Sequence, residues 1–276
     1  MQIWRPSWRW IIWTALTATT AFTSRWLRES VQSRPVWREP GPPAACDPAA
    51  ARDQQRLADT PVWRWVEARL VERAVRPFRV RPSFRPLRIL NLDHGPGGIA
   101  CALTRQTPQD STVVATDPLA GMADLARYRA QRRGVRPGLV FARAWSYGLP
   151  FRDGAFDLVV SAGGLHQWPN AEAVLAEVRR LLTTDGRYMI FDLRRNVSLS
   201  FWVAIRAIQG LLVPRDLRAL DEPSASIRAG YAPHEAEWLA ARAKLPDLQV
   251  TSGPAWIMIE RGRATMPAPP HKENRQ

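Results

Sequence analysis

The chain has 276 residues, of which 46% are hydrophobic, enough for the core of one ordinary domain with an extension or of two small domains. Its net charge of +14 is almost wholly arginine, because Lys244 and Lys272 are the only lysines. Two cysteines, Cys46 and Cys101, exclude a disulfide framework, and His94, His166, His234 and His271 are too scattered for a metal site.

The charge is concentrated at the front. Up to Arg88 there are 16 Arg against 7 Asp plus Glu, and eight of the 13 Trp. Such a segment suits nucleic acid or an anionic membrane surface. An arginine-rich coding bias, or a start placed too far upstream, accounts for it better, so nucleic acid is not an expected partner. Residues 10–23 form an apolar stretch behind two arginines, in outline a signal peptide. The stretch is too short and threonine-rich for a membrane span, and Arg25-Trp26 leaves no small-x-small cleavage site. The expected location is therefore cytoplasmic. Residues 34–51, rich in Pro and Ala, read as a linker, which makes 1–52 an extension.

Residues 53–75 predict a helix with Leu57, Val62, Trp65, Val66 and Leu70 near one face, and 76–87, with three prolines, predict a loop. Ile89, Leu90 and Leu92 predict a buried strand that stops at Gly95-Pro96-Gly97-Gly98, with a helix from Ile99. Strand, glycine turn and helix form the first half of a nucleotide-binding βαβ unit. Residues 111–116 predict the next strand, and Asp117 at its end can accept both hydroxyls of a ribose. Asp117 also suits the N-cap of a helix starting at Pro118. Met122, Leu125 and Ala126 mark that helix, and 139–142 a third strand.

Residues 158–161 predict a fourth strand, 163–168 the loop after it, and Asn170 the cap of a helix through Leu182. Asp185-Gly186 predicts a turn and 187–192 a fifth strand. This alternation implies a Rossmann-like α/β domain over 53–262, a mostly parallel sheet with helices on both faces. Ligands of such sheets sit at the C-terminal strand ends. Residues 196–220, markedly apolar, predict one helix that either packs in the core or forms a lid within 196–235 over an apolar pocket. A weak membrane-surface contact is its third role. Residues 236–243 predict a further helix, 248–251 and 255–260 a terminal antiparallel strand pair, and 263–276 a disordered tail.

Together these residues resemble a class I S-adenosylmethionine-dependent methyltransferase, of the small-molecule type 11 group, over roughly 63–262. The first family motif aligns with Asn91-Leu92-Asp93-His94-Gly95-Pro96-Gly97, and the second with Asp117-Pro118 followed by Met122. The third, Leu-Pro-Phe-x-Asp-x-x-Phe-Asp, is complete at 149–157; the fourth is Leu165-His166; the fifth runs from Glu177 through Arg180 to Gly186. The resemblance implies S-adenosylmethionine as cofactor, held by Asn91, Asp93, Gly95, Pro96, Gly97, Asp117, Pro118, Met122, Ser146, Tyr147 and Ser161. It also implies in-line methyl transfer to a small molecule, which the apolar 196–220 segment suggests is lipophilic. His166 is the histidine placed to act as a base, and its other role is packing beneath the lid.

Three positions depart from the pattern. Asn91 replaces an acidic residue. Asp93 replaces the first glycine and either takes over as partner of the cofactor's ammonium or crowds the ligand. Trp145 stands where many members carry the aspartate that meets adenine. A cofactor-binding module without turnover therefore stays open. So does a nicotinamide-dependent reductase, since Gly95-x-Gly97-x-x-Ala100 followed by Asp117 fits its fingerprint. Against the reductase, no lysine precedes Lys244 to complete a Tyr-x-x-x-Lys pair.

Overall fold

A computed structural model describes residues 53, 56, 58–79 and 85–262, so the expectations for the extension, linker and tail lie outside the described residues. The chain alternates helix and strand: α1 (Pro61–Arg79), β1 (Arg88–Leu92), α2 (Gly98–Gln106), β2 (Thr112–Asp117), α3 (Ala120–Arg132), β3 (Leu139–Arg143) and β4 (Phe156–Ala162). A 3-10 turn (Leu165–Gln167) precedes α4 (Ala171–Leu181) and β5 (Leu182–Leu193). Three helices, α5 (Leu199–Leu212), α6 (Arg215–Ala219) and α7 (Ser224–Ala229), lead to α8 (Pro233–Arg242), β6 (Leu248–Ser252) and β7 (Trp256–Arg261).

The strands form one sheet in the order β3-β2-β1-β4-β5-β7-β6. The first five are parallel, and β7 inserts antiparallel between β5 and β6. Alternation along each strand divides the apolar side chains between two faces. Leu90, Leu92 and Val159 meet α4 and α8 on one side, while Ile89, Val113, Leu158 and Val160 meet α1 and α2 on the other. Both faces are covered, as a parallel sheet requires. The strand order reverses between β1 and β4, and that switch point holds the ends of β1, β2 and β4 together.

Several expectations need correction. The helix predicted over 53–75 is broken: Asp59 and Thr60 are non-helical, and α1 restarts at Pro61, whose missing N–H costs nothing in the first turn. Thr60 Oγ1 accepts the Trp63 N–H at 3.4 Å there. The same helix runs into the predicted loop, through Pro77 to Arg79, because Phe78 extends the buried face of Leu70, Val71, Ala74 and Val75. Asp185-Gly186 is an irregularity within the 12-residue strand β5. The α3 helix begins at Ala120, two residues after the expected start. The 196–220 segment splits into α5 and α6 at Pro214, and α5 is not core: Gln209 is its one buried residue.

The motif residues at 149–157 and 177–186 act as scaffold. Arg180 donates to the Leu149 and Phe151 carbonyls at 3.1 and 2.8 Å and pairs with Asp153 and Glu177, both at 2.7 Å. Glu177 in turn accepts the Leu149 N–H at 2.8 Å. Asp157, fully buried, accepts from the Arg88 backbone at 2.9 Å and from Arg85 at 3.0 Å. Asn170 caps α4, accepting the Ala173 N–H at 3.0 Å, worth about 1 kcal/mol.

Candidate active site

The end of β1 turns sharply, and the turn is pinned from three sides. His94 N–H donates to the Thr116 carbonyl at 3.1 Å, Gly97 N–H to the His94 carbonyl at 2.9 Å, and Gly95 N–H to Asp117 Oδ2 at 3.1 Å. The other Asp117 oxygen accepts the Leu119 N–H at 3.0 Å. Asp117 therefore ties β2 to the turn, while each oxygen keeps a second lone-pair direction. Burial raises its pKa, against the pull of the Leu119 and Gly95 N–H groups. The glycines differ in purpose. A Cβ on Gly97 (φ +82°) would stand 2.8 Å from the Ala126 Cβ, and one on Gly98 would overlap Glu67. These two serve turning and packing. Gly95 (φ +49°) opens onto clear space, the side from which a ligand can approach the backbone.

Asp93 follows β1 with a left-handed φ of 49°. Its carboxylate accepts the Ser146 hydroxyl at 2.8 Å and the Trp168 indole N–H at 2.5 Å. Burial pushes its pKa up to about 6; the Trp168 and Ser146 bonds oppose that shift, and the nearby Asp117 and Asp192 charges add to it. Among the described residues no arginine or lysine pairs with Asp93 or Asp117. The place thus gathers negative charge without a counter-ion, an arrangement suited to a cation. Asn91 Oδ1, Thr116 Oγ1 and Ser161 Oγ are also buried without a hydrogen-bond partner, at the ends of β1, β2 and β4. Buried polar atoms left this way ask for a ligand or water.

Beyond β4, the 3-10 turn carries His166, which is buried. Asp192 holds it twice: Oδ2 accepts the His166 N–H and Oδ1 faces Nδ1, both at 2.8 Å. A carboxylate accepts, so the Nδ1 proton is fixed and Nε2 is the basic nitrogen. Glu222, between α6 and α7, lies near enough to interact with His166 and accepts the Ser226 hydroxyl at 2.8 Å. Burial raises the Glu222 pKa despite those contacts. Gly164 separates the two groups. A Cβ there would stand 2.6 Å from Ser161 Oγ and 2.8 Å from Asp93 Oδ2.

The structure brings Asn91, Asp93, Gly95, Asp117 and Ser161 to one sheet edge, with His166 in the adjoining turn. Ser146 is buried, with its hydroxyl on Asp93. Tyr147 is exposed and stacks on Trp145 at 6.1 Å. Met122 is fully buried on α3, and Pro96 and Pro118 present their carbonyls to Arg129 and Arg143. Trp168, Asp192 and Glu222 were missed by sequence reading. Asp192 had a signal, an acidic residue closing the apolar fifth strand. His94 was missed too: its Nδ1 donates to the Gly95 carbonyl at 2.6 Å, Nε2 has no partner, and burial lowers its pKa to about 4.

Residues 90–190 match the family described as Methyltransferase domain. Over 105 residues the chain is 35% identical to the ubiquinone/menaquinone biosynthesis C-methyltransferase UbiE of Stenotrophomonas maltophilia, covering 38% of this chain and 42% of that one. It is 36% identical over 107 residues to the demethylmenaquinone methyltransferase of Thermus thermophilus, covering 39% and 47%. The match thus spans less than half the length of these relatives. A methyltransferase structure from Aquifex aeolicus superposes with a TM-score of 0.55 at 15% identity, covering 78% of this chain and 97% of the other. The structural match shows the methyltransferase fold.

Proposed function

We infer that this chain, whose residues 90–190 match a methyltransferase-domain family, transfers a methyl group from S-adenosylmethionine to a lipophilic small molecule. The observation that carries this reading is the acidic, partner-poor edge formed by Asp93, Asp117 and the orphaned oxygens of Asn91, Thr116 and Ser161. The residues fit the cofactor. Asp117 offers two oxygens to the ribose hydroxyls, Gly95 an uncovered backbone, and Asp93 with Ser161 negative and polar groups for the ammonium end. Trp145 and Tyr147 supply an aromatic pair for adenine. When bound, the cofactor supplies a methyl carbon activated by a sulfonium.

The chain itself must then orient an acceptor and exclude water. Where the acceptor carries a phenolic hydroxyl, His166 takes its proton on Nε2 while Asp192 holds the ring and balances the imidazolium charge. With that proton removed, electron density passes to the ring carbon, whose pair forms the new bond to the methyl carbon. The broken methyl–sulfur pair stays on sulfur, and the proton on that ring carbon leaves as the ring regains its aromaticity and its hydroxyl. The named relatives act on menaquinone or ubiquinone precursors. A reduced quinone precursor is accordingly the substrate class we propose.

Transfer of label from S-adenosylmethionine to reduced demethylmenaquinone tests this function. We expect turnover by the wild type, and a loss of about 100-fold or more in kcat for His166→Ala. Asp192→Asn should lower kcat with little effect on KM. Labelled product from wild type and His166→Ala at equal rates would remove His166 from the mechanism. No labelled product from reduced quinone precursors would remove the substrate class.

A further inference from the structure

We propose that α5 seats the protein on an anionic lipid bilayer, with the stripe Leu199, Val203, Ala207 and Leu211 entering the boundary between headgroups and acyl chains. A helix on a globular protein ordinarily turns its apolar stripe to the core. Here the order is inverted. Ser200, Arg206 and Gln209 are the only polar side chains in α5, and Gln209 is its one buried residue. Gln209 donates to Asp221 at 2.7 Å and accepts from the Ser224 hydroxyl, while Arg206 pairs with Asp221 at 2.6 Å. Polar groups therefore anchor α5 to the domain, and aliphatic ones face away. Leu211 and Leu212 are 83% and 76% exposed, and Leu199, Val203 and Ile208 are exposed beside them. The four stripe residues recur every fourth position and share one side of the helix.

The chemistry of that face selects a bilayer over a protein. A protein interface of ordinary kind carries about one hydrogen bond per 100–200 Å². The stripe offers no hydrogen-bonding group at all, so its insertion into hydrocarbon leaves no polar atom without a partner. Basic groups lie alongside: Arg215 and Arg218 are exposed, against the single acidic residue Asp216 within 196–220, while the charge of Arg206 is met by Asp221. Aliphatic stripe and arginine flank together match interfacial binding to anionic lipid. At about 21 Å the helix is too short to span and lies in the plane.

Docking does not depend on methyl transfer. One consequence does rest on the proposed function. The α5 helix packs on α7, and α7 packs on the 3-10 turn that holds His166. A lipophilic acceptor leaving the bilayer would meet the site through these helices.

The test is cosedimentation of the full chain with vesicles of phosphatidylcholine alone, or mixed with phosphatidylglycerol. We expect binding that needs phosphatidylglycerol and weakens with salt. The double variant Val203→Glu, Leu211→Glu should lose at least about tenfold in partitioning, with its circular dichroism and its S-adenosylhomocysteine binding unchanged. Vesicle binding equal in wild type and variant would place the contact outside α5 and overturn the proposal. So would a wild type that ignores vesicles yet forms a dimer that the variant abolishes. Because vesicle binding needs no cofactor, its failure is separable from failure of the methyltransferase reading.

Discussion

Burial pushes the Asp93 carboxyl up to about 6, whereas an unfolded aspartate ionises near 3.9. Between those values the unfolded chain has lost the proton and the folded chain has kept it. The associated stability is full below about pH 4 and falls as pH rises through about 6, by roughly 3 kcal/mol. Asp93→Asn cannot ionise, so urea unfolding should show the variant gaining on the wild type by about that amount between about pH 4 and 8. A difference that stays constant with pH would contradict a buried ionising Asp93. A cationic ligand selects the ionised form, so S-adenosylmethionine affinity should rise with pH through about 6 in the wild type and stay flat in Asp93→Asn. The sequence showed Asp93 as a departure at the glycine turn. It did not show the grip of Ser146 and Trp168, because those partners lie 53 and 75 positions away.

At the scale of elements, the turn from β4 into the 3-10 segment decides whether the two halves of the site stay in register. Gly164 has an ordinary φ of −93°, so its need for glycine is steric and comes from Ser161 Oγ and Asp93 Oδ2. Gly164→Ala must displace one or both. We expect a folded protein whose thermal midpoint drops by a few degrees and whose S-adenosylhomocysteine affinity drops by about tenfold or more. An unchanged affinity would mean that Ser161 and Asp93 do not hold the ligand. Strands β1 to β4 were legible in the sequence to within about two residues because doubly covered parallel strands read as continuous apolar runs. The helix 53–75 was misjudged, since a periodic apolar pattern continues across the break at Pro61 and a single Pro77 does not end the last turn. Composition also hid the orientation of α5. Fourteen mostly apolar residues suit core, lid or membrane face alike, and only the tertiary anchors Gln209 and Arg206 reveal which side faces out.

For the molecule as a whole, sheet order places Asp93, Asp117 and the orphaned oxygens at one switch point, and β5 adds Asp192 beside them. Asp117, 20 positions after Gly97, and the glycine turn were readable from spacing alone. The His166–Asp192 pair was half readable, since its geometry exists only once β4 and β5 lie side by side. The central claim is that this edge is a site for S-adenosylmethionine, and isothermal titration of the full chain with S-adenosylhomocysteine tests it most directly. Asp117 contributes charge-assisted hydrogen bonds, each worth roughly 1.5–3 kcal/mol where water is excluded. We expect saturable binding by the wild type, weakened at least about tenfold in Asp117→Ala with the circular dichroism spectrum retained. No heat of binding from the wild type, or equal affinity in Asp117→Ala, would contradict it.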